Sequence, residues 1–193
     1  MMKTLSTLQS ARYYVKQAIQ EQSHSIVVDA TLGNGYDTLF LAQEVGMQGK
    51  VFGFDIQLLA VKKTTQRLKQ EGLLDRVALF HAGHECWESF IPREYKNQIN
   101  AVMFNLGYLP HGDKTIITHP ETTLQAMGHA CQWLAPRGII TIALYVGHEE
   151  GQAEVDHVTR FASQLPAKQF HVTWTQLLNR AGAPSLVVIE RIK

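Results

Sequence analysis

Apolar residues recur at helical spacing near the start of the chain. Leu8, Ala11, Val15, Ala18 and Ile19 share one face, which predicts an amphipathic helix over about 6–22. Ser25–Ala30 is a short β-branched run ending in Asp29, the pattern of a buried strand. A glycine-containing turn follows, then a helix through Leu39–Val45. The alternation then repeats, with a strand over Lys50–Asp55, a helix over 57–70 and a strand over Arg76–Phe80. A short helical piece around Trp87 leads to a fourth strand, Ile99–Leu106. A loop containing Gly and Pro spans Gly107–His119. Pro120 suits a first helical turn, where its missing N–H costs nothing, and Leu124, Met127, Cys131 and Leu134 supply the core stripe. Ile139–Val146 reads as a fifth strand and 149–164 as a helix. Residues 168–176 and 185–192 alternate as two strands of a hairpin.

Strands alternating with helices predict an α/β fold. The expected architecture is Rossmann-like and doubly wound: a mostly parallel, seven-stranded sheet with helices on both faces. The C-terminal hairpin adds an antiparallel strand at one edge. No internal repeat, low-complexity tract or linker interrupts residues 1–193, so a single domain is expected. In such sheets ligands sit beyond the carboxyl ends of the strands, at the point where strand order reverses. This directs attention to Asp29–Gly35, Asp55–Gln57, His81–Glu85, Asn105–Lys114 and Tyr145–His148.

Composition narrows the function. Of 193 residues, 45% are hydrophobic and 18% charged, which excludes a disordered tail protein. Lys and Arg total 18 against 17 for Asp and Glu, a formal charge of +1. A broad polybasic RNA binder is excluded, and any nucleic acid must meet a local basic rim. Lys114, Arg137 and Arg180 are candidates for that rim by chain position. Cys86 and Cys131 are far apart, so a disulfide framework or structural zinc site is not expected, and both read as small core residues. His81 and His84 lack a third ligand nearby and read as loop histidines rather than a metal pair. The start lacks a signal-peptide stretch, and no run approaches bilayer length. The expectation is a cytoplasmic protein without metal or membrane contact, with a homodimer compatible with the sequence.

The candidate chemistry begins with Asp29-Ala30-Thr31-Leu32-Gly33-Asn34-Gly35-Tyr36-Asp37. Gly33 and Gly35 permit a sharp turn and a close backbone approach to a ligand. The next helix aims free N–H groups at the same place, favouring an anionic group. The dinucleotide fingerprint fails, because Thr38 stands at its third glycine, and no lysine completes a P-loop. Asp55, closing the second strand, is placed to accept hydrogen bonds from both hydroxyls of a ribose. The combination points to an adenosine-containing cofactor. Asp29 has two readings: it orders the turn through backbone N–H groups, or it contacts the cofactor.

The order Asp-Ala-Thr-x-Gly-x-Gly, Phe-Asp and Asn-Leu-Gly-Tyr resembles class I S-adenosylmethionine-dependent methyltransferases. More narrowly, DATLGNGYDT, FGFDIQ, FNLGYLPHGDK, YVGHEEG and APSLVVIER resemble the bacterial YtqB/MnmM-type family, once described as rRNA methylases. The likeness runs from about residue 4 to the end. It implies S-adenosylmethionine as cofactor and tRNA, at its anticodon loop, as partner. The implied reaction methylates the aminomethyl group of 5-aminomethyl-2-thiouridine at the wobble position. By position, Gly33, Asn34 and Gly35 would cradle the methionine part, with Asp37 lining the same turn. Asp55 would hold the ribose diol with Gln57 beside it, and Gly83 and His84 would border the adenine. Asn105 would face both the reactive methyl and the incoming amine.

Many amine methyltransferases carry Asn-Pro-Pro-Tyr where this chain has Asn105-Leu106-Gly107-Tyr108. That departure fits a flexible aminomethyl arm better than a flat base amine. The expected catalytic pair is Asn105, orienting the amine, and Tyr108, packing on the uracil. His111, Asp113, Lys114, Tyr145 and His148 would line the substrate entrance. The competing readings are a methyltransferase for rRNA or a small-molecule amine, and a non-catalytic cofactor-binding module.

Overall fold

The computed structural model describes residues 4–20, 24–107, 118–146 and 151–193. The helices are α1 (Thr7–Gln20), α2 (Tyr36–Glu44), α3 (Leu58–Gln70), α4 (Pro120–Trp133) and α5 (Gly151–Ser163). The strands are β1 (Ile26–Asp29), β2 (Lys50–Asp55), β3 (Val77–His81), β4 (Ile99–Asn105), β5 (Leu134–Leu144), β6 (Phe170–Thr175) and β7 (Ser185–Arg191). They form one sheet in the order β3-β2-β1-β4-β5-β7-β6. Strands β1 to β5 pair in parallel, and β7 runs antiparallel to both β5 and β6. The expected α/β doubly wound, seven-stranded architecture is the one observed.

Side chains alternate across a strand, so each strand feeds two cores. Val27 faces a layer in which Ala11, Val15 and Ile19 of α1 pack with Leu41 and Ala42 of α2 and Leu68 of α3. Val28 faces the opposite layer, built by Met127 and Ala130 of α4, Val155 and Val158 of α5, and Trp87. Each fully buried Val, Leu, Ile or Met among these contributes about 1.5–3 kcal/mol against leaving it in water. Strand order reverses between β1 and β4. Register places Asp29 beside Gly53 and Met103, and Asp55 beside His81, so the strand ends meet along one edge. No helix among the described residues is long and apolar enough to cross a membrane.

Three expectations need correction. Leu134 does not extend the stripe of α4; it is extended (ψ 134°) and opens β5 opposite Ile99. Pro136 disfavours helical backbone in Ala135, so the helix has to end at or before that residue. Arg137 therefore lies near the start of β5, at the amino end of the sheet, away from the expected ligand edge. The C-terminal hairpin lies at one edge of the sheet as expected, with β7 between β5 and the outermost β6. Cys86 is exposed while Cys131 is buried, because Cys86 lies on the outer side of the 3-10 turn His84–Ser89 whose inner side holds Trp87.

Candidate functional site

The turn after β1 continues the sheet's own hydrogen bonding. The Ala30 N–H donates to Met103 O (2.9 Å) and the Leu32 N–H to Phe54 O (3.0 Å). Leu32 then drops over Gly53, where any β-carbon would overlap it. Gly33 and Gly35 both hold left-handed backbone, with φ 53° and 78°. A β-carbon on Gly35 would also lie 2.7 Å from Thr64 Oγ1 and 3.0 Å from Thr64 Cα. Glycine is thus demanded there by the packing of α3 as well as by the turn. No side chain caps α2 at Gly35, which leaves its first-turn N–H groups available to an anionic ligand.

Three carboxylates surround this turn. Asp29 is 1% exposed, with Oδ1 accepting from the Thr31 N–H (3.1 Å) and Oδ2 from the Thr38 hydroxyl (2.6 Å). It lies beneath the turn and orders it. Burial, and next the charge of Asp37, push its carboxyl up to about 7, against the pull of those two hydrogen bonds. Asp55 accepts the Gly33 N–H (3.0 Å) and the Gln57 N–H (2.8 Å), one on each oxygen. Burial raises its pKa despite these bonds. Each Asp55 oxygen keeps a second lone pair, the number a ribose diol requires. Asp37, in the first turn of α2, is buried and paired with Arg12 of α1.

The carboxyl ends of β4 and β5 close the site. The Asn105 N–H donates to Thr31 Oγ1 (2.8 Å), and its side-chain amide reaches Asp37 Oδ2 (3.4 Å). Tyr145, just after β5, has its phenol raised by burial and by the charge of Asp37, which places it in the same cluster. His84 is buried, with Nδ1 3.2 Å from Ala30 O. A carbonyl only accepts, so Nδ1 carries the proton and Nε2 is an acceptor. Nε2 is buried with no hydrogen-bond partner among the described residues, and burial lowers the pKa of the ring. The Glu85 carboxylate folds over Gly83 and occupies the space a β-carbon would need. Asn34 is held from α3: Lys63 donates to its Oδ1 (3.3 Å) and Arg67 to its carbonyl (3.0 Å).

The structure therefore brings Gly33, Asn34, Gly35, Asp37, Asp55, Gln57 and Asn105 to one sheet edge, with Tyr145 beside them. Tyr108, His111, Asp113, Lys114 and His148 lie outside the described residues. Sequence reasoning missed Arg12, Thr31 and Thr38. The two threonines stood in plain view inside the DATLGNGYDT block, but Arg12 gave no signal. It also missed Glu154, 2% exposed, whose carboxylate accepts from the hydroxyls of Thr118 (2.9 Å) and Thr123 (3.1 Å). Thr118 in turn accepts the Gly107 N–H (2.9 Å), so Glu154 ties both ends of the 107–118 segment to α4 and α5.

The donor set fits an adenosine-bearing, carboxylate-bearing cofactor. Uncapped N–H groups of α2 suit an anion, the two oxygens of Asp55 suit a diol, and the buried acceptor His84 Nε2 sits on the β3 side. Comparison with known proteins agrees. A family described as "Putative rRNA methylase" matches residues 51–191. A Clostridium thermocellum crystal structure of the same description is 43% identical, with a TM-score of 0.93 over 99% of this chain and all of that one. A Streptococcus mutans "putative methyltransferase" in complex with SAH is 34% identical, TM-score 0.86, over 99% of both chains. A chloroplastic tRNA (mnm(5)s(2)U34)-methyltransferase from Arabidopsis thaliana is 39% identical over 174 residues, 86% of this chain. The chain spans 63% of that plant relative's length. By the extent of the family match and the full-length structural likeness, the chain belongs to this methylase family.

Proposed function

We propose that the protein is an S-adenosylmethionine-dependent N-methyltransferase. Its substrate is the aminomethyl group of 5-aminomethyl-2-thiouridine at the tRNA wobble position, and its product 5-methylaminomethyl-2-thiouridine. The observation that carries the chemistry is the juxtaposition, one strand apart, of the cradle after β1 with the Asn105 amide after β4. The substrate rests on the likeness to the plant tRNA enzyme over 86% of the chain.

When bound, S-adenosylmethionine supplies a methyl group already activated on sulfur. The protein's share is alignment, which matters most when the group to be transferred needs no further activation. Asp55 holds the ribose diol, the α2 N-terminus faces the methionine carboxylate, and Gly33 and Gly35 let the backbone come close. Gln57 fixes Asp55 through its N–H, and Asp29 acts from below by holding the turn. Asn105 accepts an N–H of the amine and orients its lone pair. An aliphatic amine has a reference pKa of about 10, so the site must hold it neutral, which desolvation favours. Tyr108, His111, Asp113, Lys114, Tyr145 and His148 form the nucleotide side.

Transfer of labelled methyl from S-adenosylmethionine into fractionated RNA tests the reading, with nucleoside mass spectrometry of the tRNA. The expected product is the methylaminomethyl nucleoside, and tRNA from a strain lacking the protein should accumulate the aminomethyl form. Label confined to rRNA or to small amines would overturn the tRNA assignment. In single turnover, Asn105→Ala should lose about 100-fold or more in rate with cofactor affinity retained. An unchanged rate would remove Asn105 from the mechanism.

A further inference from the structure

Helix α1 precedes the first strand and contributes Arg12, whose contacts run into the site. Arg12 Nε donates to Asp37 Oδ1 at 2.9 Å, and its Nη2 lies 2.7 Å from the same oxygen. Both nitrogens use Oδ1, which leaves Asp37 Oδ2 to Asn105 Nδ2 at 3.4 Å. The guanidinium also lies over the Phe40 ring, 5.3 Å from its centroid, so it is held from two sides by α2. At the far end of the chain of contacts, the Asn105 N–H is pinned by Thr31.

A side-chain amide has a donor end and an acceptor end of nearly equal size, and a half-turn exchanges them. What decides the orientation is the chemistry of the neighbour. An ionised carboxylate only accepts, so Asp37 selects the orientation with Nδ2 towards it. Asn105 Oδ1 is thereby turned away from Asp37, as an acceptor. A displaced Asp37 loses that selectivity. We propose that Arg12 is a positioning residue for methyl transfer: by holding Asp37 as an oriented carboxylate, it fixes the Asn105 amide with its oxygen available to an N–H of the incoming amine. The specificity that follows is for a nucleophile that donates a hydrogen bond. The role of Oδ1 rests on the amine-methylating reading above, whereas the orientation of the amide does not.

Two measurements test this. The first needs no substrate. In protein labelled with 15N-asparagine, the Asn105 side-chain NH2 signal, identified by its loss in Asn105→Asp, reports its acceptor. Arg12→Met should shift that signal and Arg12→Lys should shift it less. An unmoved signal in Arg12→Met overturns the proposal.

The second is a double-mutant cycle on single-turnover methyl transfer. Arg12→Met alone should slow transfer by about 10- to 100-fold, read on protein that is still folded at the assay temperature and saturated with cofactor. In an Asn105→Ala background the same change should cost under about 2-fold, because the group it acts through is gone. An equal loss in both backgrounds overturns the proposal. If the wild-type protein transfers no methyl to tRNA, the substrate reading fails, and the NMR measurement still decides the role of Arg12.

Discussion

Asp29 carries the sharpest consequence at the scale of single residues. Its carboxyl, ordinarily near 3.8, is pushed up to about 7, first by burial and then by Asp37. Between those two values the folded chain binds a proton that the unfolded chain has released. Stability therefore falls as pH rises through that window, and the loss is complete above it. Asp29→Asn removes this titration. The melting temperature of the wild type, measured relative to Asp29→Asn, should drop between about pH 4.5 and 7.5; identical pH slopes would exclude Asp29 as the source. The residue also shows how far sequence reaches. An acid closing a buried strand before a glycine turn was legible, but its two roles were not separable. Depth separates them: at 1% exposure Asp29 lies beneath the turn, where its oxygens accept from Thr31 and Thr38. Arg12 was illegible, since a lone arginine on the wet flank of a helix looks like any other, and only packing of α1 against α2 gives it a partner.

At the scale of elements, the unit that matters is strand β1, its turn and helix α2. The alternation of apolar runs marked that unit, and the two glycines marked the turn. Two demands meet at Gly35, a left-handed φ of 78° and the approach of Thr64 from α3. The second was invisible in the sequence, since it joins residues on different helices. Gly35→Ala should destabilise the protein by about 2–4 kcal/mol, the sum of a left-handed penalty and overpacking. Denaturant unfolding would measure it; a loss of only about 1–2 kcal/mol would mean that α3 yields freely and the left-handed penalty alone remains. The same change should weaken S-adenosylhomocysteine binding, because the turn that Asp55 holds through Gly33 would shift. Element boundaries failed where a local rule was overlooked: Pro136 keeps Ala135 out of helical backbone, so the helix stops before it, and pairing with Ile99 draws Leu134 into β5. The hairpin was legible as two strands, but the insertion of β7 between β5 and β6 is a choice of pairing partner, which alternation does not encode.

At the scale of the whole molecule, the proposed cofactor site draws on the ends of β1, β2, β3 and β4 and on α2, so a ligand there links most of the fold. S-adenosylhomocysteine at about 100 times its dissociation constant should stabilise the folded state by about 2.7 kcal/mol. For a chain of this length that is a rise of about 5–11 °C in melting temperature, readable by thermal shift. No shift at saturating ligand would count against the cofactor assignment. The net charge of +1 allows only a local basic rim, and Arg137 is removed from it because it lies at the opposite end of the sheet. Arg180 remains, in the loop joining β6 to β7. The sequence by itself determined the alternating elements, the α/β class, the glycine turn and the acid at the end of β2, because each is a local pattern of polarity or backbone freedom. Tertiary structure alone decided the partners: Arg12 with Asp37, Asp37 with Asn105, and Glu154 with the ends of the 107–118 segment. Those pairings join residues 25 to 68 positions apart, and at such separations only the packing of helices on a common sheet brings side chains within hydrogen-bonding reach.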